Sequence, residues 1–441
     1  MNDRQSLSGP SMVRRVALLL MPLVGVASLL GGSVFWLRRI GWLQRAQYWI
    51  SDPDLLAMAP NPRDWPSSYY FVMRHHGAMH QVDGWLGLTK IAKELVLVAF
   101  LVLAATQIAK ARPTRNFGLA YGSVFLLGFA SALTTMLAGG WYALLAGGRT
   151  FAPWCLGLTA GPLVDEGLLR RLARVLAYTL LAEALLVAIE LKFGLYLYSI
   201  ALLGQLFVRV VGTFNLPVSL GVFAVVSWAT AICWGDLSGR VRAFLTLVLT
   251  FVLVFNASAT AWVAFAVAVA TMGFAHVPAN WRAWVLISVL PIALLGWTLL
   301  PTLTGRAEIH DSLWGRIAPV QMYAAEHLTT REMLLGTGFG IGTNVQSAHD
   351  AEPPVFGGMP DRPVGDSMPA ALFWQIGLVG LFSAYALLLL ALRADEQSRP
   401  IGMALLVSSV AVNVTELFPV SLILGFWLAS AAFKGRSDGA H

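Results

Sequence analysis

The chain has 441 residues, 57% of them hydrophobic and only 12% charged, with a formal net charge of +7. This composition excludes an ordinary soluble domain, and two cysteines are too few for a cysteine-based metal site or a disulfide framework. Apolar runs long enough to cross a bilayer recur along the chain, and the alternating segments of membrane β-barrels are absent. The sequence predicts an all-α polytopic membrane protein with a single integral membrane domain, 1–441.

The apolar runs predict about 12 spans, most of them near the ~20 residues that a bilayer core requires. In chain order they cover residues 16–36, 95–108, 118–137, 141–163, 175–191, 218–234, 243–255, 261–274, 284–303, 370–392, 401–414 and 419–433. Residues 196–215 are amphipathic and are not counted as a span. Long polar loops are predicted at 38–93, after the first span, and at 304–369, between the ninth and tenth spans.

Positively charged residues cluster in the short loops on one side of these alternating spans. They are Arg14, Arg15, Lys110, Arg112, Arg115, Arg170, Arg171, Arg174, Arg240, Arg242, Arg282, Arg393, Arg399, Lys434 and Arg436. Because cytoplasmic loops carry an excess of lysine and arginine, this side is predicted to be cytoplasmic. Both long loops and the segment that contains Arg209 are then expected on the outer side.

The first motif is the stretch Arg209-Val-Val-Gly-Thr-Phe-Asn-Leu-Pro-Val-Ser-Leu-Gly221. An arginine near the end of a span is costly unless it faces water or a partner. Two interpretations stay open from its position alone. Arg209 either extends its charged end to the membrane interface, or it binds an anion at the mouth of a cavity.

The second motif lies in the large loop, where Asp311-Ser-Leu-Trp-Gly-Arg316 precedes Leu335-Gly-Thr-Gly-Phe-Gly-Ile-Gly342. A glycine-rich run lets backbone N–H groups approach a phosphate closely. This signal is weak without a strand–turn–helix context. A flexible turn is the alternative for these glycines.

The third motif, Asp366-Ser-Met-Pro-Ala-Ala-Leu-Phe-Trp-Gln-Ile-Gly377-Leu-Val-Gly380, opens a predicted span. A carboxylate at a helix N-terminus is stabilised by the helix dipole. Asp366 therefore either caps the helix or has a catalytic role.

The three motifs, in this order on a many-span chain, resemble the superfamily of O-antigen ligases and Wzy-type polysaccharide polymerases from Arg209 to the C-terminus. The resemblance implies a GT-C-like fold and undecaprenyl-diphosphate-linked oligosaccharides as donor and acceptor. It implies that Arg209 and Arg316 bind the diphosphate, as bidentate arginine–phosphate pairing allows without a metal. It further implies an inverting glycosyl transfer at the periplasmic face of a bacterial inner membrane.

One departure from the family pattern bears on the acceptor. The ligases carry a histidine followed by asparagine where this chain has Asp366-Ser367. A polymerase of O-antigen or exopolysaccharide repeat units is therefore favoured, with a ligase that transfers the glycan to lipid A core as the alternative. In either enzyme Asp366 would accept the proton of the acceptor hydroxyl or orient that hydroxyl.

Other residues of the large loop complete the predicted site. Gly338, Gly340, His349 and Arg362 are candidates for substrate binding. No metal or other cofactor is expected, and the histidine cluster His75, His76 and His80 is interpreted as loop polarity rather than as a metal site. The bilayer and a chain-length regulator protein are expected partners, and nucleic acid is not.

Glu183 and Glu190 lie on one face of a predicted span, where buried carboxylates mark a functional site or pair with basic residues at span ends.

A transporter of lipid-linked sugars is the alternative from another functional class. A transporter should show inverted repeats and polar residues at mid-membrane, whereas this chain concentrates its polar residues in one outer loop.

Overall fold

The computed structural model describes residues 12–49, 83–107, 113–138, 140–193, 198–202, 205–214, 216–275, 320–341 and 367–433. Within these ranges only the backbone is described for residues 31–49, 83–91, 142, 198–208 and 275. The predicted span 284–303 lies outside the described residues.

Helices dominate the described part of the chain. They are α1 (Met12–Trp49), α2 (Asp83–Ala105), α3 (Arg115–Leu137), α4 (Trp141–Thr159), α5 (Glu166–Phe193), α6 (Pro217–Trp234), α7 (Gly239–Asn256), α8 (Ala259–Ala275), α9 (320–327), α10 (Thr330–Leu335), α11 (Met368–Ala394), α12 (Arg399–Ala411) and α13 (Val420–Phe433). Between α5 and α6 an antiparallel hairpin pairs β1 (Tyr198–Leu202) with β2 (Gln205–Arg209). This hairpin occupies the stretch that the sequence marked only as amphipathic, and it departs from an all-α chain.

The length and composition of the helices confirm a polytopic helical membrane protein. Among the residues that the structure describes, six helices are long and apolar enough to cross a membrane, namely Met12–Leu30 of α1 together with α3, α5, α6, α7 and α11. Three shorter apolar helices, α8, α12 and α13, accompany them. The predicted spans 95–108 and 141–163 lie largely in helices α2 and α4. The total of 12 spans and the GT-C-like fold stay predictions.

One face of the bundle gathers helix ends rich in arginine, and we call it the arginine face. Arg14 at the start of α1 pairs with Asp165, just before α5. Gln397, just before α12, donates to the Cys233 carbonyl near the end of α6 at 3.3 Å. Arg170 Nη1 in the first turns of α5 and Asp236 Oδ2, just after α6, are 4.0 Å apart and connect the two pairs. The described ends of α1, α5, α6 and α12 therefore lie on one face, as the sequence predicted.

The opposite face, which we call the loop face, carries the segment 210–214, the turn between α7 and α8, and the start of α11. Helices α6 and α13 run through the apolar core between the two faces. Small residues allow the close helix packing that is typical of membrane bundles. A Cβ atom added at Gly425 of α13, for example, would lie 2.9 Å from Leu156 of α4.

Candidate functional site

Arg209 is the last residue of β2 and lies half-buried at the loop face. Its Nε–H donates to the backbone carbonyl of Asn256 at 3.0 Å. Asn256 ends α7, so this bond attaches the hairpin to a membrane helix. The contact fixes the plane of the guanidinium group rather than leaving it on a flexible arm.

The side chain of Asn256 holds both ends of the segment that follows Arg209. Its amide Nδ2 donates to the carbonyl of Val210 at 3.2 Å and to that of Pro217 at 2.5 Å. In return, the Val210 N–H donates to the Phe255 carbonyl at 3.1 Å. Asn256 was not singled out from the sequence, although its position between two short predicted spans marks it as a polar residue at a turn.

Replacing Asn256 by alanine should destabilise this junction. Two buried carbonyl groups would lose their donor, which costs roughly 2–4 kcal/mol in unfolding free energy. Thermal unfolding of the purified protein in detergent measures the effect. Asn116→Ala is a control, because Asn116 is exposed in the first turn of α3. Equal unfolding temperatures for the two variants would contradict the role given to Asn256.

Two buried glutamates of α5 hold the same segment from the other side. Glu190 Oε2 accepts a hydrogen bond from the Val211 N–H at 3.1 Å. Glu183 Oε2 accepts one from the Thr213 N–H at 3.0 Å, and its other oxygen accepts the Thr213 hydroxyl. The two carboxylates therefore satisfy backbone and side-chain donors that would otherwise be buried without acceptors.

These hydrogen bonds add to the predicted pairing of the two glutamates with basic residues at span ends. Lys93, just before the predicted span 95–108, does interact electrostatically with Glu183. The hydrogen bonds, however, come from the segment 211–213. Glu183 and Glu190 thus connect the transmembrane helix α5 to the motif that begins at Arg209.

The backbone conformation at Gly212 and the space around it explain why the motif carries a glycine between Val211 and Thr213. Its φ is +54°, a left-handed conformation that glycine adopts without a steric penalty. A Cβ atom at this position would lie 2.2 Å from Glu183 Oε2. Glycine is therefore required for the segment to approach the carboxylate.

The glycine run of the large loop is packed against α3, α4 and α11. Gly340 has φ +78°, and its N–H donates to Gln375 Oε1 at 3.1 Å. The neighbouring Phe339 N–H donates to Thr135 Oγ1 at 2.8 Å. Gly338 is also left-handed, with φ +153°. The structure therefore gives these glycines a role in close backbone packing, and a contact of Gly338 or Gly340 with phosphate stays a prediction.

The large loop packs against α11 at Gly377, where the helical backbone of α11 is interrupted. Gly377 has non-helical φ/ψ angles, and a Cβ atom there would lie 2.3 Å from the Leu334 carbonyl. At its start, α11 is capped by Ser367, whose hydroxyl accepts from the Ala370 N–H at 3.4 Å. Since Ser367 occupies the capping position, the interpretation of Asp366 as the cap loses its support.

The described residues place three of the predicted site residues, Arg209, Gly338 and Gly340. Arg209 contacts α7, while the two glycines lie against α3, α4 and α11. The other predicted residues, Arg316, His349, Arg362 and Asp366, lie outside the described residues.

Within the described ranges, no group of three or more histidine, cysteine, aspartate or glutamate side chains could hold a metal ion. The cluster of His75, His76 and His80 lies outside those ranges.

The fold and the site together define a helical membrane protein with an arginine held in place at one face of the bundle. Scans of the sequence against protein-family models and against curated proteins find no match.

Proposed function

We propose that the protein is an inner-membrane glycosyltransferase that polymerises undecaprenyl-diphosphate-linked oligosaccharide repeat units into a bacterial surface polysaccharide or exopolysaccharide. The loop face would be periplasmic, since the arginine-rich helix ends lie on the opposite face. The three motifs from Arg209 to Gly380 support this proposal through their resemblance to polymerases and ligases of such glycans.

The observation that carries the proposal is the fixed position of Arg209. Its Nε–H bond to Asn256, and the clamping of the next four residues by Glu183, Glu190 and Asn256, orient the guanidinium before any ligand arrives. A preorganised positive charge stabilises a diphosphate leaving group in the transition state without further reorganisation. Arginine also pairs with phosphate oxygens in a bidentate geometry.

In the proposed reaction a hydroxyl oxygen of the acceptor sugar attacks the anomeric carbon of the donor sugar from the face opposite the diphosphate. The new glycosidic C–O bond forms as the bond to the diphosphate oxygen breaks, with inversion at carbon. Undecaprenyl diphosphate leaves with its negative charge held by Arg209 and Arg316. The hydroxyl proton passes to Asp366 or to water.

Asp366→Asn tests the assignment of the base. The variant keeps the size of the side chain but loses its charge, so polymer formation should fall by about 100-fold or more if Asp366 accepts the proton. The measurement is the amount of polymer made in cells that carry only the variant. Ser367→Ala is the control, because losing the cap should cost only about 1 kcal/mol of stability. Normal polymer with Asp366→Asn would remove Asp366 from the reaction.

Deleting the gene and analysing the lipid-linked glycans tests the function as a whole. A polymerase predicts that polymer disappears while single repeat units remain on the lipid carrier. A ligase predicts instead that polymer persists on the lipid carrier but does not reach lipid A core. A transporter predicts that repeat units remain on the cytoplasmic side of the membrane. Unchanged polymer and unchanged lipid-linked intermediates would contradict the proposal.

A further inference from the structure

The described part of the large loop, 320–341, packs along the side of α11. Helix α9 contacts α11 at Trp374, where the ring centroids of Tyr323 and Trp374 are 5.5 Å apart. Helix α10 contacts α11 farther from its start, because a Cβ atom at Gly377 would lie 2.3 Å from the Leu334 carbonyl. The large loop therefore extends down the side of a helix that is long and apolar enough to cross the membrane.

The distance from Gly377 to the far end of α11 gives the depth of this contact. Arg393 lies in the last turn of α11 and is exposed. Because an arginine near a helix end extends its charge to the interface, the hydrocarbon core ends close to Arg393. The helix from Gly377 to Arg393 is about 24 Å long, and the core is ~30 Å thick. The contact at Gly377 therefore lies at or below the boundary of the core on the loop face.

Two leucines of α10 are exposed at this depth. Leu334 and Leu335 are 44% and 43% exposed. The next two residues of α11 after the contact, Leu378 and Val379, are 37% and 44% exposed. Exposed apolar side chains of a membrane-spanning helix face lipid chains. The leucines of α10 therefore continue the lipid-facing surface of α11.

The glycine run that follows α10 has the surroundings that this depth requires. Non-helical backbone within the membrane is tolerated only where it is buried in protein or lines a water-filled cavity. Gly338, Phe339 and Gly340 are buried. The Phe339 N–H has its acceptor on α3, and the Gly340 N–H has its acceptor on α11.

The break in α11 is compensated in the same way. An interruption at Gly377 takes the usual N–H donors away from carbonyl groups of the preceding turn, and neighbouring groups must replace them within a membrane. The Trp374 carbonyl accepts from the Thr337 N–H at 2.7 Å. The Gln375 carbonyl accepts from the Ser131 hydroxyl of α3 at 2.6 Å. The loop thus supplies a donor that the broken helix needs at this depth.

We propose that residues 330–341 form a re-entrant element that enters the leaflet at the loop face, with Leu334 and Leu335 in contact with lipid acyl chains. The exposed polar side chains of α9 lie closer to the start of α11, since α9 contacts α11 at Trp374. Glu326 and His327, for example, are 66% and 56% exposed. The proposal does not depend on the reaction, because it rests on the depth, exposure and hydrogen bonds of the described residues.

Spin labelling of the full-length protein in liposomes tests the lipid contact. In a background of Cys155→Ala and Cys233→Ala, a nitroxide is attached to Leu334→Cys, and its collision rates with oxygen and with a polar nickel chelate are measured. Ala325→Cys, on the exposed surface of α9, is the control for water. Phe382→Cys, 70% exposed on α11, is the control for lipid.

The ratio of oxygen to chelate collisions should be at least about tenfold higher at Leu334→Cys than at Ala325→Cys, because hydrocarbon excludes a polar chelate. It should approach the ratio at Phe382→Cys. Leu335→Cys repeats the measurement in case Leu334→Cys does not fold. A ratio equal to that at Ala325→Cys would place the leucines in water and overturn the proposal. Low collision rates with both reagents would show that a second copy or another part of the chain covers them, which would also overturn it.

Discussion

Replacing Arg209 by alanine is expected to abolish polymer formation while the protein still inserts into the membrane. The variant loses the charge that the proposed mechanism uses to stabilise the leaving diphosphate. Removing a single group of this kind typically costs about 100- to 1000-fold in turnover. Polymer extracted from cells that carry only the variant, separated by gel electrophoresis, gives the measurement. Near-normal polymer would remove Arg209 from the site.

Two companion variants separate the role of the charge from that of the structure. Arg209→Lys should restore polymer poorly, because a lysine keeps the positive charge but loses the fork geometry. Arg242→Ala is the matched control, since Arg242 Nε also donates to one backbone carbonyl, that of Leu237, at 3.0 Å, but near the arginine face. Polymer should be normal in this control. An equal loss in Arg242→Ala would show that both arginines act through stability alone.

Replacing Gly340 by alanine should produce the largest loss of stability among single substitutions in the described glycine run. The new Cβ atom would lie 1.7 Å from the Ala143 carbonyl oxygen, and φ is +78°. Because backbone rather than a flexible side chain opposes it, we expect a cost of at least about 3 kcal/mol in unfolding free energy. The temperature of thermal unfolding in detergent, measured on purified protein, reports the change.

Gly148→Ala is the control for this substitution. A Cβ atom at Gly148, in the middle of α4, would have no atom within 4 Å. Alanine should therefore be neutral or slightly stabilising there, as helix propensity predicts. Similar unfolding temperatures for Gly340→Ala and the unsubstituted protein would show that the large loop does not pack on α4 as described.

The membrane class could be predicted from the sequence because hydropathy acts locally. Each apolar run indicates its own tendency to form a buried helix. The described ends of α1, α5, α6 and α12 lie on one face, as the alternation of spans predicts. The position of Arg209 at the opposite end of the bundle followed from the same alternation. The hairpin that carries Arg209 could not be predicted from the sequence, because an amphipathic segment of that length fits a strand or a helix equally well.

The partners of the site residues could not be predicted, because they come from distant parts of the chain. Glu183 contacts Thr213, and Gly340 contacts Ala143, through packing that no local pattern encodes. A glycine run also looks the same whether it approaches a phosphate or another backbone. Only the surroundings of each glycine distinguish the two, and for Gly340 they are α4 and Gln375 of α11.

The most direct test of the proposed mechanism is glycosyl transfer by the purified protein in nanodiscs. Lipid-linked repeat units from the deletion strain are incubated with the protein and excess chelator, and the products are separated by length. The account predicts glycans of two or more repeat units together with released undecaprenyl diphosphate, and neither product with Arg209→Ala. Single repeat units alone with the unsubstituted protein, or transfer that persists in Arg209→Ala, would contradict it.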